Sequence, residues 1–136
     1  MAGGRKPELK AIDGGLSRVP APPKTLTTAE AREEWRRAAQ DLIDRKVLAK
    51  SDLPALEAYA MAFAQMKRLQ PLAAEADPII VAKSGAVKNH PAHVAFQKYL
   101  TIVLRYQSEL GLTPASRNRR ANQMPTQGDE WDEFDL

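Results

Sequence analysis

The sequence has no cysteine. That excludes disulfides, thiol nucleophiles and the common zinc modules. Aromatic residues are only 6% of the chain against 43% hydrophobic residues overall, so the core must be aliphatic and rich in alanine. No run of 18 apolar residues occurs, and no membrane span is expected. The N-terminus lacks the apolar stretch of a secretory signal, and none is expected. No G-x-x-x-x-G-K-[ST] loop is present to cradle nucleotide phosphates. Ser84, Ser108 and Ser116 have no G-x-S-x-G context. His90 and His93 stand three residues apart. They lack the further ligands a metal needs, and His90 reads better as a cap at the hairpin exit or the helix start. Carboxylate pairs such as Asp41 and Asp44 fall on a helix face that should be solvated. No set of residues makes an active site, so a chain without catalysis, cofactor or metal is expected.

What is present begins with charge. The formal net charge is +3. No Lys or Arg follows Arg120, while Asp129, Glu130, Asp132, Glu133 and Asp135 bring −5. The first 120 residues therefore carry +8. A basic body fits a phosphate-bearing partner, although an ordinary solvated surface has the same signature. At 136 residues, one domain or a small domain with tails is expected.

Residues 1–26 hold Gly3, Gly4, Gly14, Gly15, Pro7, Pro20, Pro22 and Pro23, which break any helical period. They read as a disordered basic arm, either tracking a DNA backbone or serving as a solubilising leader. The first helix opens near Thr27, which has capping-box spacing to Glu30. Trp35, Ala38, Ala39, Leu42 and Ile43 form one apolar stripe, with Trp35 as core anchor rather than a base-stacking residue. Arg32, Arg36 and Arg37 lie mostly off that stripe and face either phosphates or neighbouring carboxylates. A second helix opens at Ser51-Asp52-Leu53-Pro54 and runs to about Glu75, with Pro71 as a kink or stop. The short link between these helices makes them packing neighbours.

Residues 79–88 read as a β-hairpin: Ile79-Ile80-Val81-Ala82 and Ala86-Val87-Lys88 flank Lys83-Ser84-Gly85, whose glycine suits a tight turn. A third helix spans Ala92 to Leu110 and stops at Gly111. It carries apolar residues on more than one face, more than a small monomer covers. A subunit interface of Tyr59, Phe63, Met66, Phe96, Tyr99, Leu100, Val103 and Tyr106 is therefore expected. Thr113-Pro114 opens a short basic helix bearing Arg117, Arg119 and Arg120. In the acidic tail, residues 121–136, Trp131, Phe134 and Leu136 read as anchors for a partner. The expected fold is mainly α, with three to four helices, a long antiparallel helical pair and one small hairpin. The core is 27–120, and the basic arm and acidic tail are disordered.

The order of hairpin, His-Pro step, long helix and Glu109-Leu110-Gly111-Leu112-Thr113-Pro114-Ala115-Ser116-Arg117 resembles the small subunit of tailed-phage terminases, in the family of many cohesive-end phages and prophages. The resemblance covers roughly Arg5 to Arg120. It implies a non-catalytic DNA-packaging subunit that forms a homo-oligomeric ring. Such a ring binds double-stranded viral DNA at the packaging-initiation site and recruits or regulates the large ATPase-nuclease subunit. It also implies action in the host cytoplasm during assembly and absence from the mature virion. The DNA-binding candidates are Arg5, Lys6 and Lys10 on the arm, Arg32, Arg36 and Arg37 on the first helix, and Arg117, Arg119 and Arg120. Trp131, Phe134 and Leu136 are the candidates for the large subunit. Two other readings remain open from the residues: a helix-turn-helix transcriptional regulator, and a helical adaptor that binds only protein.

Overall fold

Helix α1 (Ala29–Asp44) starts one residue later than the Thr27 signature implies, because Thr28 takes the extended backbone and its hydroxyl caps the Ala31 amide. Trp35, Ala38, Ala39 and Leu42 are buried along one stripe, as the periodicity predicts. The structure, a computed structural model, describes residues 15–123, with side chains through residue 118. The helix ends in a Schellman motif: the Lys46 amide donates to Ile43 O and the Val47 amide to Leu42 O. Such motifs usually place glycine at the left-handed position. Here it is Lys46, at φ 58°.

A single 3-10 turn, Lys50–Asp52, leads into α2 (Leu53–Glu75). The Asp52 carboxylate accepts from the Ala49 amide at 2.9 Å and fixes the link. Helix α2 continues through Pro71, so this proline is not a stop. Strands β1 (Ile79–Val81) and β2 (Val87–Asn89) pair antiparallel with Val81 opposite Val87. Gly85 supplies the positive φ of the turn, at 87°. Helix α3 (Pro91–Leu110) begins under His90, whose Nδ1 accepts from the Ala92 amide at 3.0 Å, and ends at Gly111 with φ 79°. Thr113 then caps α4 (Pro114–Gln123) through the Ser116 amide.

Helices α2 and α3 pack along their lengths as an antiparallel pair. Two bonds between them set the register: Gln107 Nε2 donates to Tyr59 Oη at 3.1 Å, and His93 Nε2 meets Ala76 O at 2.7 Å. Helix α1 packs against α2, and the Tyr59 hydroxyl reaches Glu34 across that contact. Leu26, Trp35, Leu42, Leu48, Leu56, Tyr59 and Val103 form the deepest part of the core.

Part of the segment expected as a disordered arm is packed, and residues 1–14 lie outside the described residues. Residues 15–26 lie along the core as a strap. Gly15 bridges Ala49, and the Leu16 amide donates to Leu48 O at 2.9 Å. The Trp35 indole donates to Pro20 O at 2.8 Å, and Leu26 is fully buried. The prolines that break helical periodicity here hold an extended path that α1 covers.

Candidate nucleic-acid interface

The antiparallel register divides the chain into two unlike ends. At one end lie the start of α2, the α1–α2 link and the start of α4. Gly15 is tied to Ala49, within the link. Arg5, Lys6 and Lys10 lie outside the described residues. The exposed side chains at this end include four cations, Arg18 on the strap, Lys46 and Lys50 flanking the bridge, and Arg117 on α4, along with Ser17, Ser51 and the acidic Asp44 and Glu109. Arg45 pairs with Asp41 at 2.7 Å. None of Arg18, Lys46, Lys50 and Arg117 has a carboxylate partner among the described residues. Arg119 and Arg120 lie on the backbone of α4, with side chains outside the described set. Arg18, Lys46 and Lys50 had no motif to announce them. Their grouping needs the Gly15–Ala49 bridge, which joins segments 34 residues apart.

The three arginines of α1 separate. Arg36 is exposed and lies among Glu33, Gln40 and Asp44 on the outer face. Arg32 is drawn inward, and its Nη1 donates to Leu26 O at 3.1 Å and Pro23 O at 3.5 Å, tying the strap to the helix. Arg37 grips Glu34 with two bonds, Nε to Oε1 at 2.6 Å and Nη2 to Oε2 at 2.5 Å. Glu34 is buried, and its other donor is the Tyr59 hydroxyl. The hydrogen bond to Glu34 raises the Arg37 pKa further above its ordinary value. Burial, opposed by the Gln107 hydrogen bond and aided by Glu34, pushes Tyr59 up to about 12. Glu34, Arg37, Tyr59 and Gln107 thus form one polar strut through α1, α2 and α3. Arg32 and Arg37 each make internal bonds, whereas Arg36 has no carboxylate partner among the described residues.

The opposite end exposes aliphatic side chains beside the charged Lys83 and Lys88. Beyond Met66, α2 buries only Ala73, and α3 buries no residue before Val103. Every residue of the hairpin is exposed, with Ile79 at 50%, Val81 at 64% and Val87 at 62%. Leu72 and Val94 beside it are more than half exposed too. The expected interface residues divide in the same way. Tyr59, Met66 and Val103 are spent inside the single chain. Their positions suit an apolar stripe, but that stripe faces α1 and the partner helix. Phe63, Phe96, Tyr99, Leu100 and Tyr106 are half-buried and retain free surface. Lys67 Nζ lies 5.7 Å from the centre of the Phe63 ring.

Trp131, Phe134 and Leu136 lie outside the described residues. Among the described residues no group of three His, Asp or Glu side chains is placed to hold a metal, and no helix is long and apolar enough to cross a membrane. A family model described as phage terminase, small subunit matches residues 31–126. No curated protein and no solved structure matches the chain.

Proposed function

Because the chain belongs to the phage terminase small-subunit family, with a role in phage DNA packaging, we propose that it is a non-catalytic, ring-forming subunit that binds double-stranded viral DNA through its cationic end and brings it to the large subunit. The observation that carries this reading is the group of exposed cations without carboxylate partners around the α1–α2 link and α4, Arg18, Lys46, Lys50 and Arg117. The other end exposes Ile79, Val81 and Val87 beside Lys83 and Lys88. Cations held clear of carboxylates release counterions on meeting a duplex. Aliphatic side chains left in water favour contact between copies.

The DNA contacts in this reading are Lys46, Lys50 and Arg18, joined by Arg5, Lys6 and Lys10 from the arm and by Arg36, Arg117, Arg119 and Arg120. Trp131, Phe134 and Leu136 engage the large subunit, and their carboxylate neighbours aid the encounter. Phage terminases act in the host cell during packaging; in this reading the subunit leaves before the virion matures. Helical adaptors that bind only protein give no salt-dependent duplex binding, which separates them from this function.

The test is the salt dependence of duplex binding. Each lost phosphate contact lowers the slope of log K against log salt by about 0.9. Replacing Arg18, Lys46 and Lys50 together with alanine should flatten the slope by about two to three units. An unchanged slope and affinity would remove the link from the interface.

A further inference from the structure

Two apolar features of this chain are complementary but cannot meet within one copy. The first is a face of the hairpin. With Val81 opposite Val87 and Ile79 opposite Asn89, side-chain alternation puts Ile79, Val81 and Val87 together on one face. That face is half or more exposed, and none of its residues packs against the hydrophobic core of the described residues. The second is a groove of about 390 Å³ beside the N-terminus of α1. Its walls include Thr28 of the cap, Met61 and Gln65 of α2, and Tyr99, Ile102 and Tyr106 of α3. No lining residue carries a charge, although 27% of the chain is Asp, Glu, Lys or Arg. Met61 is 49% exposed there.

We infer that the hairpin of one copy seats its Ile79, Val81 and Val87 face in the Met61–Tyr106 groove of the next copy. This rests on the self-assembly proposed above and names its contact. Within one copy the two are kept apart by α2, because Met61 to Glu75 is unbroken helix, about 21 Å of rise, and the hairpin lies beyond it. The chain's own acidic tail suits the groove less well. Its five carboxylates would face walls that offer no countercharge. A contact between two different surfaces is heterologous and propagates head to tail until a ring closes. The hairpin, residues 79–89, is roughly half of the 20–30 residues a side of a standard interface. One seam is therefore weak, and a closed ring, in which every copy is held by two seams, is the arrangement it suits.

The experiment uses the full chain and two variants at exposed positions, a hairpin variant (Val81→Asp with Val87→Asp) and a groove variant (Met61→Glu). Mass is read by light scattering at a concentration where the wild type is assembled. Each variant alone should remain monomeric. Mixed, they should give a 1:1 dimer and nothing larger, because one intact hairpin then meets one intact groove. A hairpin variant that assembles like the wild type, or a mixture that stays monomeric, overturns the inference and leaves self-assembly standing. A monomeric wild type overturns both. A second readout does not depend on disrupting anything: the chain has no cysteine, so a Met61→Cys, Val87→Cys double variant should give a covalent ladder on oxidation. Val87→Cys alone crosslinking as readily would mean hairpin-to-hairpin contact and overturn it. So would Met61→Cys crosslinking instead to Trp131→Cys, which gives the groove to the tail.

Discussion

Glu34→Ala removes the centre of the strut that ties α1, α2 and α3. The Tyr59 hydroxyl is fully buried and would keep the Gln107 amide but lose the acceptor for its own proton. An unsatisfied buried hydroxyl costs about 1–3 kcal/mol. Arg37 loses its partner too, but its side chain is 59% exposed. Water takes over there, and that loss is worth well under ~1 kcal/mol. The expected cost is about 2 kcal/mol, a fall in Tm of roughly 8–16 °C for a domain near 100 residues. Arg37→Ala should cost more, about 3 kcal/mol, because it strands a buried carboxylate with one donor. Tyr59→Phe should cost least, about 1 kcal/mol, because Glu34 keeps both arginine bonds. Thermal and urea unfolding at one fixed protein concentration measure the order, since assembly makes Tm concentration-dependent. The same Arg37→Ala protein should retain the wild-type salt slope on duplex DNA. A Glu34→Ala chain as stable as the wild type, or Tyr59→Phe costing more than Arg37→Ala, would refute the strut. A flattened slope in Arg37→Ala would return that arginine to the DNA interface.

Lys46→Gly should stabilise the chain by about 0.5–1 kcal/mol, since the left-handed backbone costs a lysine roughly 1–2 kcal/mol and glycine gives back part through unfolded-state entropy. The same variant should lose one phosphate contact, so a higher Tm with a flatter salt slope is expected. Tyr59, with its folded pKa raised to about 12 from 10.0, keeps its proton in the native state after the unfolded chain has lost it. Its contribution is complete below pH 10 and disappears as pH rises towards 12, and Tyr59→Phe should remove that share of the alkaline destabilisation in urea titrations. Trp35→Phe keeps a ring but loses the indole bond to Pro20 O. It should cost about 1 kcal/mol from the bond and speed tryptic cleavage after Arg18 and Lys24, as the strap is released.

Local chemistry made the α2–α3 half of the fold legible. Gly111, His90-Pro91, Gly85 and Thr113-Pro114 each act within a few residues of themselves, and each does what its type implies. The strap was not legible, because Gly15 finds Ala49, and Pro20 finds Trp35, only when α1 has packed. Arg32 and Arg37 have the same history. Their spacing fits an outer face, but the carbonyls of Pro23 and Leu26 and the Glu34–Tyr59 pair come from tertiary contacts. Tyr59 sits on an apolar stripe whether that stripe faces a neighbour or the chain's own helices, and only the partners of its hydroxyl decide between them. The charge excess of residues 1–120 was plain in the sequence. The grouping of Arg18 with Lys46 and Lys50 required the Gly15–Ala49 bridge.

Amide hydrogen exchange on the assembled protein, with and without a duplex, tests the two-ended account most directly. The account predicts that DNA slows exchange at residues 15–18, 45–51 and along α4, while the hairpin, already covered by a neighbouring copy, is protected equally in both samples. Slowing confined to the hairpin, or none around Lys46 and Lys50, would contradict it.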